Sequence, residues 1–215
     1  MGPAPGPPAL VAQADGRPAL LWRVEHPVRA IATTVLGGGL GERSWIVSAH
    51  VPLDFSAADP AAEVAAVAGH LGCRGSGIGF LTAARVEDVC TTEDEGARCD
   101  ATVGLSVPTW AAAPDGASSE WVAGTINLVC WVPAPLSDAA LANALATATE
   151  AKAQALLEAG VPGTGTASDA VAICCPPGGG EAYGGPRSRW GARLARAVHA
   201  AVAAGTARFL AGGAA

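Results

Sequence analysis

Residues 124–175 read GTINLVCWVPAPLSDAALANALATATEAKAQALLEAGVPGTGTASDAVAICC. The first nine, GTINLVCWV, are apolar and β-branched with almost no alternation, as a strand buried on both faces reads. Ser137 then stands as an N-cap before a long Ala/Leu helix that Gly160 ends. DAVAICC (169–175) restores the apolar run, and a last helix follows in SRWGARLARAVHAAVAAGTARFL (188–210). Regular strand–helix alternation begins only at Gly124. Upstream, ALLWRVE (19–25), VRAIATTVLG (28–37) and SWIVSAHVP (44–52) read as strands separated by Pro27 or the triple glycine Gly37, Gly38 and Gly39. PAAEVAAVAGHL (60–71) reads as a helix with Asp59 as cap and Pro60 at its first position. GIGFLTAAR (77–85), VEDVCTTE (86–93) and ARCDATVGLS (97–106) are strand-like again, and AAAPDGASSE (111–120) is a surface loop. Strands grouped early with helices interspersed later predict an α+β fold, a single layered domain with a mixed β-sheet and packed helices. That domain is expected over residues 19–211, after a flexible Pro/Gly-rich arm over 1–18.

A chain of 215 residues suits one domain with a sizeable core. Its net charge of −6 argues against a nucleic-acid or anionic-membrane surface, which needs clustered Lys and Arg. The first residues lack a basic segment followed by an apolar one, and no apolar run nears the roughly 20 residues that span a bilayer. A soluble, cytoplasmic protein is expected; a homo-oligomer is allowed. The six cysteines fall at no chelating spacing, so neither disulfide nor zinc site is expected, and Cys130 and Cys175 read as packed thiols rather than nucleophiles. GSGIGF (75–80) follows a helix and opens a strand, the reverse of a dinucleotide fingerprint, and GGGLGERS (37–44) lacks a P-loop lysine. No metal is expected. His50, followed by Asp54 across Pro52, is the one histidine near a candidate metal carboxylate.

Within the long helix, Asn143, Thr147, Glu150 and Gln154 are spaced by three and four and share a face. Such a row either lines a cavity or is the wet face of an amphipathic helix. Two polar elements flank it, GTIN and GTGTASD, both beside apolar runs, so Asn143, Thr147 and Glu150 are expected to face a cavity also reached by Asn127 and the 164–169 loop. Asn127 alternates with Thr125 in a buried run, and its amide must find partners. Asp169 follows the hydroxyls Thr164, Thr166 and Ser168, where it either orients a hydroxyl or water or simply caps a loop. Lys152 lies about 200° round the helix from Glu150 and is either a snorkelling surface lysine or part of a site.

The strings TTVLGGGL, GFLTAA, ATVGL, GTINLV, LANALATATEAKAQAL and GTGTASDAV, in this order, resemble the adenosylcobinamide amidohydrolase family. The resemblance runs from about Leu20 to Phe209. It implies hydrolysis of the amide joining the corrin ring to its aminopropanol arm, giving adenosylcobyric acid and 1-amino-2-propanol in corrinoid salvage. The partner it implies is a small-molecule corrinoid; cobalt is cargo in the substrate and no cofactor is required. Two departures stand out. Ser168 replaces a Thr and keeps the hydroxyl, and IVSAHVP (46–52) differs from the family's Asn-containing strand, so the resemblance carries no role to His50.

Amide hydrolysis needs an activated nucleophile, donors for the oxyanion and an acid for the leaving amine. The expected catalytic set is Glu150 as general base, Asp169, Asn127 and Thr166. The expected substrate contacts are Thr125, Asn143, Thr147, Lys152, Thr164, Ser168, Gly38 and Gly39. A non-catalytic corrinoid-binding protein is the alternative reading.

Overall fold

A computed structural model describes residues 5–115 and 124–212. The described residues form eight strands, three helices and one 3₁₀ turn: β1 (Ala9–Ala12), β2 (Pro18–Ala32), β3 (Gly39–His50), α1 (Pro60–His70), β4 (Gly77–Thr82), the 3₁₀ turn Val86–Asp88, β5 (Cys90–Asp94), β6 (Ala97–Val103), β7 (Ile126–Trp131), α2 (Asp138–Glu158), β8 (Ala170–Cys175) and α3 (Arg189–Ala211). One sheet joins the strands in the order β4-β3-β2-β8-β7-β6-β5, with β1 on β2. It is mixed: β3/β4 and β7/β8 are parallel and the other pairs antiparallel. The expected α+β layered domain is what forms.

The two segments read as separate strands around Pro27 are one strand. In β2, Arg23 pairs with Trp45 and Val28 with Arg43, so residues 24–27 stand opposite Ser44 alone. Pro27 has no N–H to give a ladder, and a bulge is where a sheet tolerates it. The bulge re-aims the strand: its first half lies between β1 and β3, its second between β3 and β8. Bent there, the sheet folds over itself. Leu20, Ile46, Ile78 and Phe80 of one half pack against Val129, Trp131, Ala172 and Cys174 of the other. Two hydrogen bonds cross the gap between strands that are not sheet neighbours, Trp22 Nε1 to Asp100 Oδ2 at 2.8 Å and Asn127 Nδ2 to the Leu81 carbonyl at 3.2 Å.

The outer faces are covered by helices. Ile126, Leu128 and Cys130 of β7 meet α2 and α3, while Val47 and Ala49 of β3 meet Val64 and Ala68 of α1. A strand apolar on both faces reads as one continuous run, which is why 126–131 shows no alternation. Asp59, Ser137 and Ser188 cap the three helices with their side chains, donors coming from Ala62, Ala140 and Gly191.

Two boundaries differ from expectation. Residues 9–12, expected within a flexible arm, form β1 because their backbone finds a partner in residues 18–21. Residues 86–88 turn as 3₁₀ instead of extending, and the strand starts at Cys90. Of the surface loop 111–120, residues 111–115 are exposed turn and coil, and the rest lies outside the described residues.

Candidate active site

The starts of β7 and β8, the end of β6 and the ends of β3 and β4 meet at one edge of the folded sheet. The loop from Gly160 to Asp169 reaches this edge because Thr109 clamps it: Thr164 N donates to the Thr109 carbonyl at 3.0 Å, and Thr109 N to the Gly165 carbonyl at 2.8 Å. Gly165 has a definite reason to be glycine. A Cβ there would stand 2.2 Å from Asp169 Oδ2 and 2.4 Å from Lys152 Nζ.

Those two atoms form the centre of the junction. Lys152 and Asp169 are an ion pair with side chains 8% and 10% exposed. Asp169 Oδ1 also accepts from Ile126 N at 2.9 Å and from Thr166 Oγ1 at 2.5 Å, and Oδ2 from Thr166 N at 3.1 Å. Four donors on two oxygens fill the carboxylate's acceptor capacity. Asp169 is thus more than a loop cap; it ties α2, the 160–169 loop and β7 together. The Ser168 hydroxyl donates to the Gly124 carbonyl at 3.1 Å, so its contact of 3.0 Å with Thr125 Oγ1 takes the Thr125 proton. Thr164 Oγ1 accepts from Ala111 N at 3.1 Å.

Asn127 points between the sheet halves. Its Nδ2 is used on Leu81, but its Oδ1 is buried and, among the described residues, unpartnered, as are Thr102 Oγ1, opposite it in register, and Ser48 Oγ. His50 lies on the same edge, opposite Thr82. Its Nδ1 is 3.1 Å from the Ala84 carbonyl. Ala84 in turn fills the space above Gly104, whose N–H bonds the Thr125 carbonyl at 3.0 Å.

The polar row on α2 takes the other of its two readings. Asn143, Glu150 and Gln154 are exposed. Thr147 is buried, but its hydroxyl meets the Asn143 and Gly184 carbonyls at 2.9 and 3.1 Å, away from Asp169. The placement of Asn143, Thr147 and Glu150 around a cavity shared with Asn127 and the 164–169 loop is therefore corrected. The cause is the packing of α2, which turns the stripe Ala144, Ala148, Ala151, Lys152 and Ala155 inward. Glu150 and Lys152 do lie on opposite sides, and the lysine is the one inside. Lys152 and Asp169 are not among the atoms nearest Gly38 or Gly39: a Cβ on Gly38 would meet the Thr34 carbonyl at 2.6 Å, and Gly39 holds φ +79° in open space, although the turn that carries them begins at Thr33, which bonds Val171 at the start of β8.

A family model described as adenosylcobinamide amidohydrolase matches residues 8–212. The chain belongs to the adenosylcobinamide amidohydrolase family. A relative from Methanosarcina mazei bearing that name is 32% identical over 183 residues, 80% of this chain and 88% of its own length. Another, from Halobacterium salinarum and of the same name, is 49% identical over 83 residues, 38% of this chain and 35% of its own.

In this member of the adenosylcobinamide amidohydrolase family the cysteines make poor nucleophiles. All six thiols are free. A hydrogen bond with Cys99, then burial, pushes the Cys130 thiol well above its ordinary range, and burial raises Cys175. Among the described residues no group of three or more His, Cys, Asp or Glu is placed to hold a metal ion. Two open cavities lie away from the ion pair. One, of about 430 Å³, adjoins the β2 bulge, Trp131 and Pro176. The other, of about 460 Å³, lies between Arg43, Trp45 and α1. In the first, Arg23, Glu25 and His26 form no ion pair with one another, whereas the edge around Asp169 is organised by hydrogen bonds.

From the sequence, Lys152 was expected as a substrate contact and not as the partner of Asp169, His50 received no role, and Thr102 and Ser48 were not singled out. A signal for Lys152 was present. It is four residues from both Ala148 and Leu156, so it belongs to the apolar stripe, where a charge requires a partner.

Proposed function

We propose that this chain hydrolyses the amide between the corrin ring and the aminopropanol arm of adenosylcobinamide, releasing adenosylcobyric acid and 1-amino-2-propanol for corrinoid salvage. Family membership supports the substrate. The structural observation that carries the reading is the junction itself: a buried Lys152–Asp169 pair whose carboxylate holds Thr166, at an edge where Asn127, Thr125 and Ser168 also gather. The net charge of −6 favours a small corrinoid, cationic through its cobalt, over a polyanion.

In this reading Lys152 supplies a fixed positive charge near the developing oxyanion, the kind of preorganised electrostatic help that is worth most in a water-poor site. Thr166 gives its proton to Asp169 and keeps its lone pairs for the substrate or a water. Asn127, with Thr125, Thr164 and Ser168, binds amide groups of the corrin rim. Asp169, already holding four donors, orients and does not accept the proton. Cobalt stays in the substrate and takes no part.

Incubating the protein with adenosylcobinamide and separating the products by chromatography with mass detection tests this. Appearance of adenosylcobyric acid together with the amino alcohol is expected. Tight corrinoid binding without products would make the chain a corrinoid binder instead.

A further inference from the structure

Hydrolysis at this edge requires a group that takes a proton from water and returns one to the leaving amine. Asp169 is filled by four donors, Lys152 is committed to Asp169, and Glu150 faces solvent from another side of α2. Asp100 is sealed between the sheet halves, where Trp22, Thr91 and Arg98 occupy it. His50 differs from all of these. A carbonyl only accepts, so the 3.1 Å contact with Ala84 puts the ring proton on Nδ1 and leaves Nε2 a bare lone pair. Among the described residues Nε2 has no hydrogen-bond partner, and the side chain is half-buried, neither sealed nor free in solvent.

Its position is held firmly. The Gln13 amide donates to the His50 carbonyl at 2.8 Å and to that of Pro18 at 2.9 Å, and Val51 N bonds the Thr82 carbonyl at 2.8 Å. The short segment 81–84 carries both ends of the contact: its Leu81 carbonyl takes the Asn127 amide and its Ala84 carbonyl takes His50. One short segment therefore holds both the imidazole and the Asn127 amide at the mouth between the sheet halves.

We propose that His50 is the proton-transfer residue of the site, a role that rests on the amide-hydrolysis reading above. Water attacks the amide carbon as its proton passes to His50 Nε2, while Nδ1–H stays on the Ala84 carbonyl. The imidazolium then returns that proton to the amide nitrogen as the C–N bond breaks. One water is consumed, a carboxylic acid and an amine leave, and His50 ends neutral.

His50→Gln keeps a side-chain N–H at the position of Nε2 and removes proton transfer. Its kcat on adenosylcobinamide should fall about 10²-fold or more, with KM nearly unchanged and the same melting temperature. In His50→Ala, added imidazole should restore turnover in proportion to its concentration. The proposal is overturned by His50→Gln retaining more than about a tenth of wild-type kcat, by a loss confined to corrinoid binding, or by a folded, corrinoid-binding His50→Ala that imidazole does not revive. Wild-type protein that leaves adenosylcobinamide intact would sink the amide-hydrolysis reading, and the role of His50 with it; active wild type beside an active variant sinks His50 alone.

Discussion

Lys152 occupies a stripe of α2 that is otherwise alanine and leucine, and among the described residues its ammonium has one partner, Asp169. The two members of the pair are not equivalent. Removing Asp169 leaves a buried cation with nothing to hold it, whereas removing Lys152 leaves a carboxylate that still accepts from Ile126 and twice from Thr166. Asp169→Ala should therefore cost about 3–5 kcal/mol in urea unfolding. Lys152→Met, which keeps the aliphatic stem, should cost about 1–3 kcal/mol. Equal losses would show that the hydrogen bonds to Asp169 do not share its charge. Glu150 is the contrasting case. Exposed and without a side-chain partner among the described residues, it should tolerate Glu150→Gln within about 0.5 kcal/mol of stability. Turnover of adenosylcobinamide by that variant should stay within a few-fold of wild type, and a loss of about 10²-fold would return the base to α2.

Among the elements, α3 begins in unusually close contact with the turn before it. A Cβ on Gly191 would lie 2.1 Å from the Gly185 carbonyl oxygen and 2.2 Å from that of Gly184. Helix propensity alone favours alanine here by about 1 kcal/mol, but backbone atoms cannot rotate away, and overpacking costs about 1–3 kcal/mol. Gly191→Ala should thus lower the melting temperature. Gly205→Ala on the same helix is milder, because the clash at 2.5 Å is with a methyl of Val103, a side chain that can adjust. A Gly191→Ala protein more stable than wild type would show that the 184–185 turn yields easily. Tertiary contacts also account for the shape of β2. Its bulge at residues 24–27 is what folds the sheet over and brings β4 to β7, so Pro27 breaks the ladder without ending the strand.

For the molecule as a whole, layering of α1, the two sheet halves and the α2/α3 pair leaves five cysteines buried and only Cys73 half-buried. A disulfide-exchange reagent should find one slowly reacting thiol in the native protein, since burial also raises the Cys73 thiol above its ordinary range, and six in urea. Several fast native thiols would contradict the layering. Most strands, all three helices, the caps Asp59 and Ser137 and the family could be read along the chain, because hydrophobic runs, caps and motif strings are local features; β1 and the continuity of β2 across Pro27 could not. The composition of the edge around Asp169 was legible too, since GTIN and GTGTASD announce polar groups beside buried strands. What reading along the chain got wrong was which side of α2 faces inward, since the expected base Glu150 faces out. Glu150 and Lys152 are two residues apart, and only the packing of the Ala148 and Leu156 stripe on the sheet and α3 assigns one to water and the other to Asp169. His50 was beyond local reading for the same reason: its partner Ala84 is 34 residues away, and Asn127 reaches the segment 81–84 only because the sheet bends at Pro27. Contacts made by folding a sheet onto itself have no period along the chain, so they belong to the tertiary structure.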